Sequence, residues 1–300
     1  MNVDRRNALA ALAAAGAIWG LTVPMSKVAL GWLDPLWLTV ARFGLAAPVL
    51  ALVARSSLRG ALSRATIGWG ALFYGVVVGL QNIGVGMTSV SHGALILGCV
   101  PAFVAIVALA SGRGSASRLA WTGFAIAVAG VVLIAGGGGN SSPLGDAIVL
   151  LSGAISALYV VAQPSVLCGR NPAAVTAVQM AAGALLVLPF AALLEGLPAV
   201  APAAAPTFDQ LTAFAALAGL GSIVPFVLYA YGQKRVAPEV AGAFVNLEPL
   251  VGAMIGAFAF GDPFGPAQLL GAAAIMGGIL MSVEWRSGGS APGGVDAAPA

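Results

Sequence analysis

The sequence predicts an all-α integral membrane protein: ten transmembrane helices arranged as two inverted five-helix repeats, with both termini cytoplasmic. Three observations carry this reading. Of 300 residues, 60% are hydrophobic and only 8% charged, whereas soluble domains carry about 25% charge. The apolar residues fall in long runs without the strict alternation of a membrane β-barrel. The basic residues gather in alternate connections, and the two halves of the chain align with each other.

Ten apolar segments occur in order, at roughly 8–30, 35–54, 67–88, 92–111, 118–137, 144–167, 172–194, 209–232, 238–260 and 265–284. Each is near the length of about 20 residues that spans roughly 30 Å of hydrocarbon. Asp4, Arg5 and Arg6 precede the first run in the manner of a signal peptide, but the run continues through Trp19 and Pro24 to Leu30. That length is expected of a retained first helix. Residues 1–7 form a cytoplasmic tail, 8–137 the first repeat and 138–143 a linker within the Gly-rich stretch GGGGNSSP; 144–284 is the second repeat, and 285–300 a Gly/Ala/Pro-rich cytoplasmic tail expected to be disordered.

Orientation follows from the charges. Arg5, Arg6, Arg55, Arg59, Arg64, Arg113, Arg118, Arg170, Lys234, Arg235 and Arg286 fall on one side, leaving only Lys27 and Arg42 of the 13 Lys and Arg. The opposite loops hold Asp34, Asp146, Glu195, Asp209 and Asp262. The positive-inside rule then places both termini in the cytoplasm. Trp32, Trp37, Trp69, Trp121 and Trp285 lie at segment ends as interfacial anchors, and only Trp19 is mid-span.

Gly16 to Leu30 aligns with Gly153 to Leu167, and Pro35 to Thr39 with Pro172 to Thr176, at an offset of 137 (153 less 16) that sets Arg42 opposite Gln179. After the loop from Glu195 to Thr207 the offset becomes 148 (249 less 101), pairing Pro101 with Pro249 and Gly123 and Gly130 with Gly271 and Gly278. Each unit holds five spans, so the second copy enters from the opposite face. Inverted repeats mark transporters whose substrate site lies near the midplane between them.

The stretch Val240 to Phe260 organises the chain. It is apolar except for Asn246 and Glu248, and Pro249 comes directly after the acid. A charge inside the bilayer is costly, on the order of 2.5 kcal/mol or more, and marks a functional site by default. Pro249 lacks the N–H that would bond the carbonyl four residues back, which loosens the helix beside the acid.

With these residues in view, the chain resembles the drug/metabolite transporter superfamily, of the EamA type. The resemblance rests on Ala17-Ile-Trp-Gly20, Arg42-Phe43, Pro101, Gly145-Asp146, Pro249 and Gly261-Asp262, and covers about residues 8 to 284. Family members often carry Gly-Glu after the fourth and ninth helices, where this chain has Ser111-Gly112-Arg113 and Gly261-Asp262. The resemblance implies export of small metabolites, often amino acids, with an aromatic amino-acid exporter branch.

Trp19, Tyr74, Gln81, Tyr159, Asn246 and Glu248 are the candidate substrate-binding residues. Glu248 is read as a ligand for a substrate ammonium or as a titrating group, against a structural carboxyl in a helix contact. Arg42 is a possible charge partner for a substrate carboxylate or for Glu248, against a packing role. His92 is a possible gate, against an ordinary interfacial histidine. Trp19, Tyr74 and Tyr159 offer apolar faces with one donor each. Gln81, Gln179, Asn82 and Asn246 are polar at depth, where helix-to-helix hydrogen bonds are the plainer reading. Lys27 reads as snorkelling to the interface.

The function expected is an inner-membrane secondary transporter exporting amino acids and related small metabolites by alternating access. The alternative is a multidrug or phosphorylated-metabolite carrier of the same superfamily; phosphate binding favours clustered cations. No catalytic set, metal-ligand cluster or cofactor motif is readable, and Cys99 and Cys168 form no disulfide framework, so an enzyme is not expected. The partners expected are a small-molecule substrate and membrane lipid, without nucleic acid, in a monomer or weak homo-oligomer.

Overall fold

The computed structural model describes residues 3–88, 96–98, 100–112, 117–135, 142–197, 205–251 and 265–282. Most of the described residues are helical, and none lies in a strand. The helices are α1 (Val3–Ala29), α2 (Pro35–Val53), α3 (Arg64–Met87), α4 (Val100–Ala110), α5 (Arg118–Ala135), α6 (Pro143–Leu167), α7 (Pro172–Leu194), α8 (Phe208–Gln233), α9 (238–251) and α10 (Pro266–Ser282). A short 3-10 and helical turn, Arg55–Ser57 and Leu58–Ala61, joins α2 to α3. Among the described residues six helices, α1, α2, α3, α6, α7 and α8, are long and apolar enough to cross a membrane; the other four contribute shorter apolar stretches.

Local chemistry sets the helix starts. Proline occupies the first turn of α2, α6, α7 and α9, where its missing N–H is no loss and its fixed φ suits the helix. Ser142 accepts from Gly145 N, Asn171 accepts from Ala174 N, and Thr207 with Gln210 closes a capping box on α8. The N-cap of α2, Asp34, makes no side-chain capping bond. Its place is taken by Glu195, at the end of α7, whose carboxylate accepts from Leu36 N at 2.9 Å and Trp37 N at 3.0 Å. A carboxylate at a helix N-terminus also meets the positive end of the dipole. Trp37 Nε1 adds a bond to Gly196 O, so this tryptophan ties a loop as well as marking a helix end.

The buried residues of α1, among them Ala8, Leu12, Ala15, Trp19 and Val23, recur at three- and four-residue spacing along one face. Leu45, Leu52, Leu185 and Leu193 point outward from α2 and α7, as lipid-facing side chains do. The main helix contacts join α1 with α8, α3 with α6 and α7, α2 with α7, α4 with α6 and α9, and α5 with α10. Glycine permits the closest of these approaches. A Cβ at Gly130 of α5 would stand 2.5 Å from Gly271 O of α10, and Gly84 of α3 lies against Val149 of α6. α5 and α10 contact chiefly each other and reach the remaining helices through α4 and α9.

Two helices are not regular. α3 widens to a π-helical stretch at Ala71–Val77, and α8 does so at Gly219–Ile223. Such insertions shift the register of every side chain beyond them and cluster at functional places. α9 tightens to a 3-10 turn at Phe244–Asn246, just before Glu248 and Pro249.

Candidate functional site

α1, α3, α4, α6, α8 and α9 surround a central cavity, with Arg42 of α2 reaching into it. Glu248 lies on its wall and is only 8% exposed; Arg42 is 6% exposed. Among the described residues no nitrogen–oxygen distance of 4.0 Å or less joins them as an ion pair. Arg42 is held instead by α8: its Nε donates to Ser222 Oγ at 2.5 Å and its Nη2 to Gly221 O at 3.0 Å. The guanidinium also lies over the rings of Phe43 and Phe226, at 5.2 and 6.0 Å. A buried cation thus keeps hydrogen-bond and ring partners while its charge faces the cavity.

One wall is aromatic. Trp19 packs on Phe226 and Tyr229 with ring centroids 5.1 and 4.9 Å apart, and Phe226 continues to Tyr74. Phe73 stacks on Tyr159 at 4.0 Å. Another part of the lining is small and hydroxylic, with Ser152, Gly153 and Ser156 of α6. Both serine hydroxyls donate to their own helix, Ser152 to Val149 O and Ser156 to Gly153 O.

Of the residues singled out in the sequence, Trp19, Gln81, Arg42 and Glu248 face this cavity together. Tyr74 and Tyr159 are buried behind it, and Phe73 takes the lining position on α3. The Tyr159 hydroxyl donates to Gln179 Oε1, and Gln179 and Gln163 exchange two amide bonds at 2.9 and 3.0 Å. The three side chains bond to one another. His92 and the side chain of Asn246 lie outside the described residues. Lys27 does more than reach for water: its ammonium donates to the carbonyls of Val85 and Thr88 at 2.9 and 3.0 Å, capping the end of α3. Thr22, Ser156, Phe226 and Tyr229 line the cavity without having stood out in the sequence. A pairing signal existed for Ser156, which occupies the position of Trp19 in the second half of the alignment.

The profile of the EamA-like transporter family matches the chain twice, over residues 6–136 and 143–283. The chain belongs to the EamA-like transporter family. It is 28% identical over 284 residues to the uncharacterized inner membrane transporter YedA of Escherichia coli K12, covering 90% of this chain and 89% of that protein. It is 28% identical over 281 residues to the uncharacterized transporter YyaM of Bacillus subtilis 168, with 87% and 88% covered. A protein solved by crystallography shares the fold with a TM-score of 0.77 at 19% identity, over 92% of this chain and 96% of that one. The EamA-like chain is accordingly a membrane transporter, with a small molecule as its cargo and lipid as its surroundings.

Proposed function

We propose that this EamA-like transporter is an inner-membrane exporter of amino acids and related small zwitterionic metabolites. The observation that carries the reading is the pair Arg42 and Glu248, one basic and one acidic, lining one cavity without a direct ion pair. A zwitterion presents a carboxylate and an ammonium, and each meets a desolvated partner of opposite sign. The aromatic wall of Trp19, Phe226 and Tyr229 supplies apolar contact for the rest of the solute.

In this reading ten spans form two inverted five-helix repeats with both termini cytoplasmic, and transport proceeds by alternating access between them. The pairing of α1 with α8 and of α3 with α6 supports it, because each pair exchanges into the other when the first and sixth, and the third and eighth, helices are equivalent. Trp19, Gln81, Arg42 and Glu248 serve as the substrate-facing set, with Asn246 and His92 retained as binding and gating candidates and Tyr74 and Tyr159 as the layer behind the wall.

The alternative is a carrier of organic cations or of phosphorylated metabolites. An aromatic wall beside one carboxylate favours the first, yet Arg42 in the same cavity repels a cation. Uptake into proteoliposomes, measured against amino acids, sugar phosphates and cationic drugs, separates the three. Transport of zwitterionic amino acids above the other two classes is expected; transport confined to either of the others removes the proposal.

A further inference from the structure

The π-helical turn of α8 has a specific chemical consequence. In a regular helix a hydroxyl reaches back three or four residues; the Ser222 hydroxyl donates to Leu217 O, five residues back, at 2.8 Å. That bond fixes Ser222 Oγ with its lone pairs turned toward α2, where it accepts from Arg42 Nε at 2.5 Å. The neighbouring Gly221 O accepts from Arg42 Nη2 at 3.0 Å. Gly221 is a glycine where α1 comes close: a Cβ there would stand 2.8 Å from Thr22 Cγ2. One turn of backbone therefore provides two acceptors in one place, and both lie on the same edge of the guanidinium.

The two contacts use two of the five N–H donors of Arg42. Phe43 and Phe226 flank the group. Arg42 lines the cavity that Glu248 also lines, with donors beyond those two contacts. A guanidinium edge is a planar fork matched to a carboxylate.

The other π turn sharpens the point. It begins at Ala71, 148 residues (219 less 71) before Gly219, the same offset that pairs the prolines of the two halves. At that offset Tyr74 stands where Ser222 stands in α8 (222 less 148), and Gln179 is the counterpart of Arg42 (42 plus 137). Gln179 is neutral and bonds with Gln163 and Tyr159. The irregular turn occurs in both halves, but only one of them holds a cation. The charge is thus a local addition to the shared scaffold, and the turn beside it is the device that aims it.

We propose that the π turn Gly219–Ile223 is the cradle of the carboxylate-binding end of the central site, with Ser222 as the positioning residue that orients Arg42 toward the substrate carboxylate. This rests on the reading of the cargo as a zwitterion, and the test separates the two. Proteoliposomes carrying wild type, Ser222→Ala, Arg42→Lys and the double variant are assayed with an amino acid and with its carboxamide, which keeps the ammonium and lacks the carboxylate. Wild type is expected to favour the amino acid. Ser222→Ala, which removes a single oxygen and leaves the helix its backbone, is expected to lower that preference by about tenfold through the KM of the amino acid. The KM of the carboxamide and the turnover number should hardly change. The double variant should be no worse than Arg42→Lys, because the serine acts through the arginine. A wild type that transports neither compound overturns the zwitterion reading and this proposal with it. A wild type that prefers the amino acid, beside a Ser222→Ala variant with the same preference or with equal losses for both compounds, overturns the positioning role alone; so do single losses that simply add in the double variant.

Discussion

Gly20 of α1 lies against the backbone of Glu248 on α9: a Cβ added there would stand 2.8 Å from the Glu248 carbonyl oxygen and 2.5 Å from Val251 Cβ. Gly16, one turn earlier, meets Phe244 and Leu247 in the same way. The Gly16xxxGly20 motif is therefore the seat on which the acid-bearing helix rests. Overpacking such a contact costs about 1–3 kcal/mol. Gly20→Ala should displace Glu248 and reduce transport by about tenfold, while Gly44→Ala, with open space at its Cβ position, should transport like wild type. Equal transport by both variants would show that the position of Glu248 on α9 does not matter.

Glu195 holds the start of α2 from the end of α7. Glu195→Ala removes that cap, and the expected loss is about 1 kcal/mol. Thermal denaturation in detergent should show a lower midpoint, with the substrate KM unchanged because Glu195 lies outside the cavity lining. Glu195→Gln should lose less, since the amide oxygen still accepts.

The Gln163–Gln179 pair is buried, and each amide satisfies the other. Gln179→Leu leaves Gln163 with unmet groups, at a cost of about 1–3 kcal/mol. The double change to leucine should cost less than the sum of the two single changes. Additive losses in a denaturation cycle would show that the two amides do not act as a pair.

Lys27 caps the final carbonyls of α3. Lys27→Met should lower stability by about 1 kcal/mol and leave substrate preference as it is. A changed preference between amino acids and their carboxamides would instead place Lys27 in the transport path.

The six long apolar helices were legible because each run nearly matches the thickness of a bilayer, and nothing else in the chain competes with that signal. Trp19, Arg42, Gln81 and Glu248 were legible as cavity residues for a related reason: a polar or interfacial side chain at mid-depth is costly unless it has work to do. Tyr74 was singled out for its ring and hydroxyl, whereas Phe73 holds the lining position on α3. Both rings lie in the π turn at Ala71–Val77, whose extra residue leaves no mark in hydrophobic periodicity. Ser222 stayed invisible for the same reason, since its role depends on a bond five residues back that a regular helix does not make. Ser152 and Ser156 carry no signal of their own among the small residues of α6.

The central claim is that Glu248 and Arg42 bind the two ends of a zwitterion, and its most direct test is amino-acid transport by Glu248→Gln in proteoliposomes. Glutamine keeps the size and hydrogen-bonding capacity of the side chain and removes its charge and titratable proton. Wild type, Glu248→Gln and Lys27→Gln are reconstituted at equal density and assayed at mildly acidic and mildly alkaline pH. The account predicts that Glu248→Gln inserts and folds normally but transports amino acids at least about tenfold more slowly, the loss of one desolvated charge partner, while Lys27→Gln stays near wild type. Equal transport by wild type and Glu248→Gln at both pH values would leave Glu248 a packing residue and contradict the account.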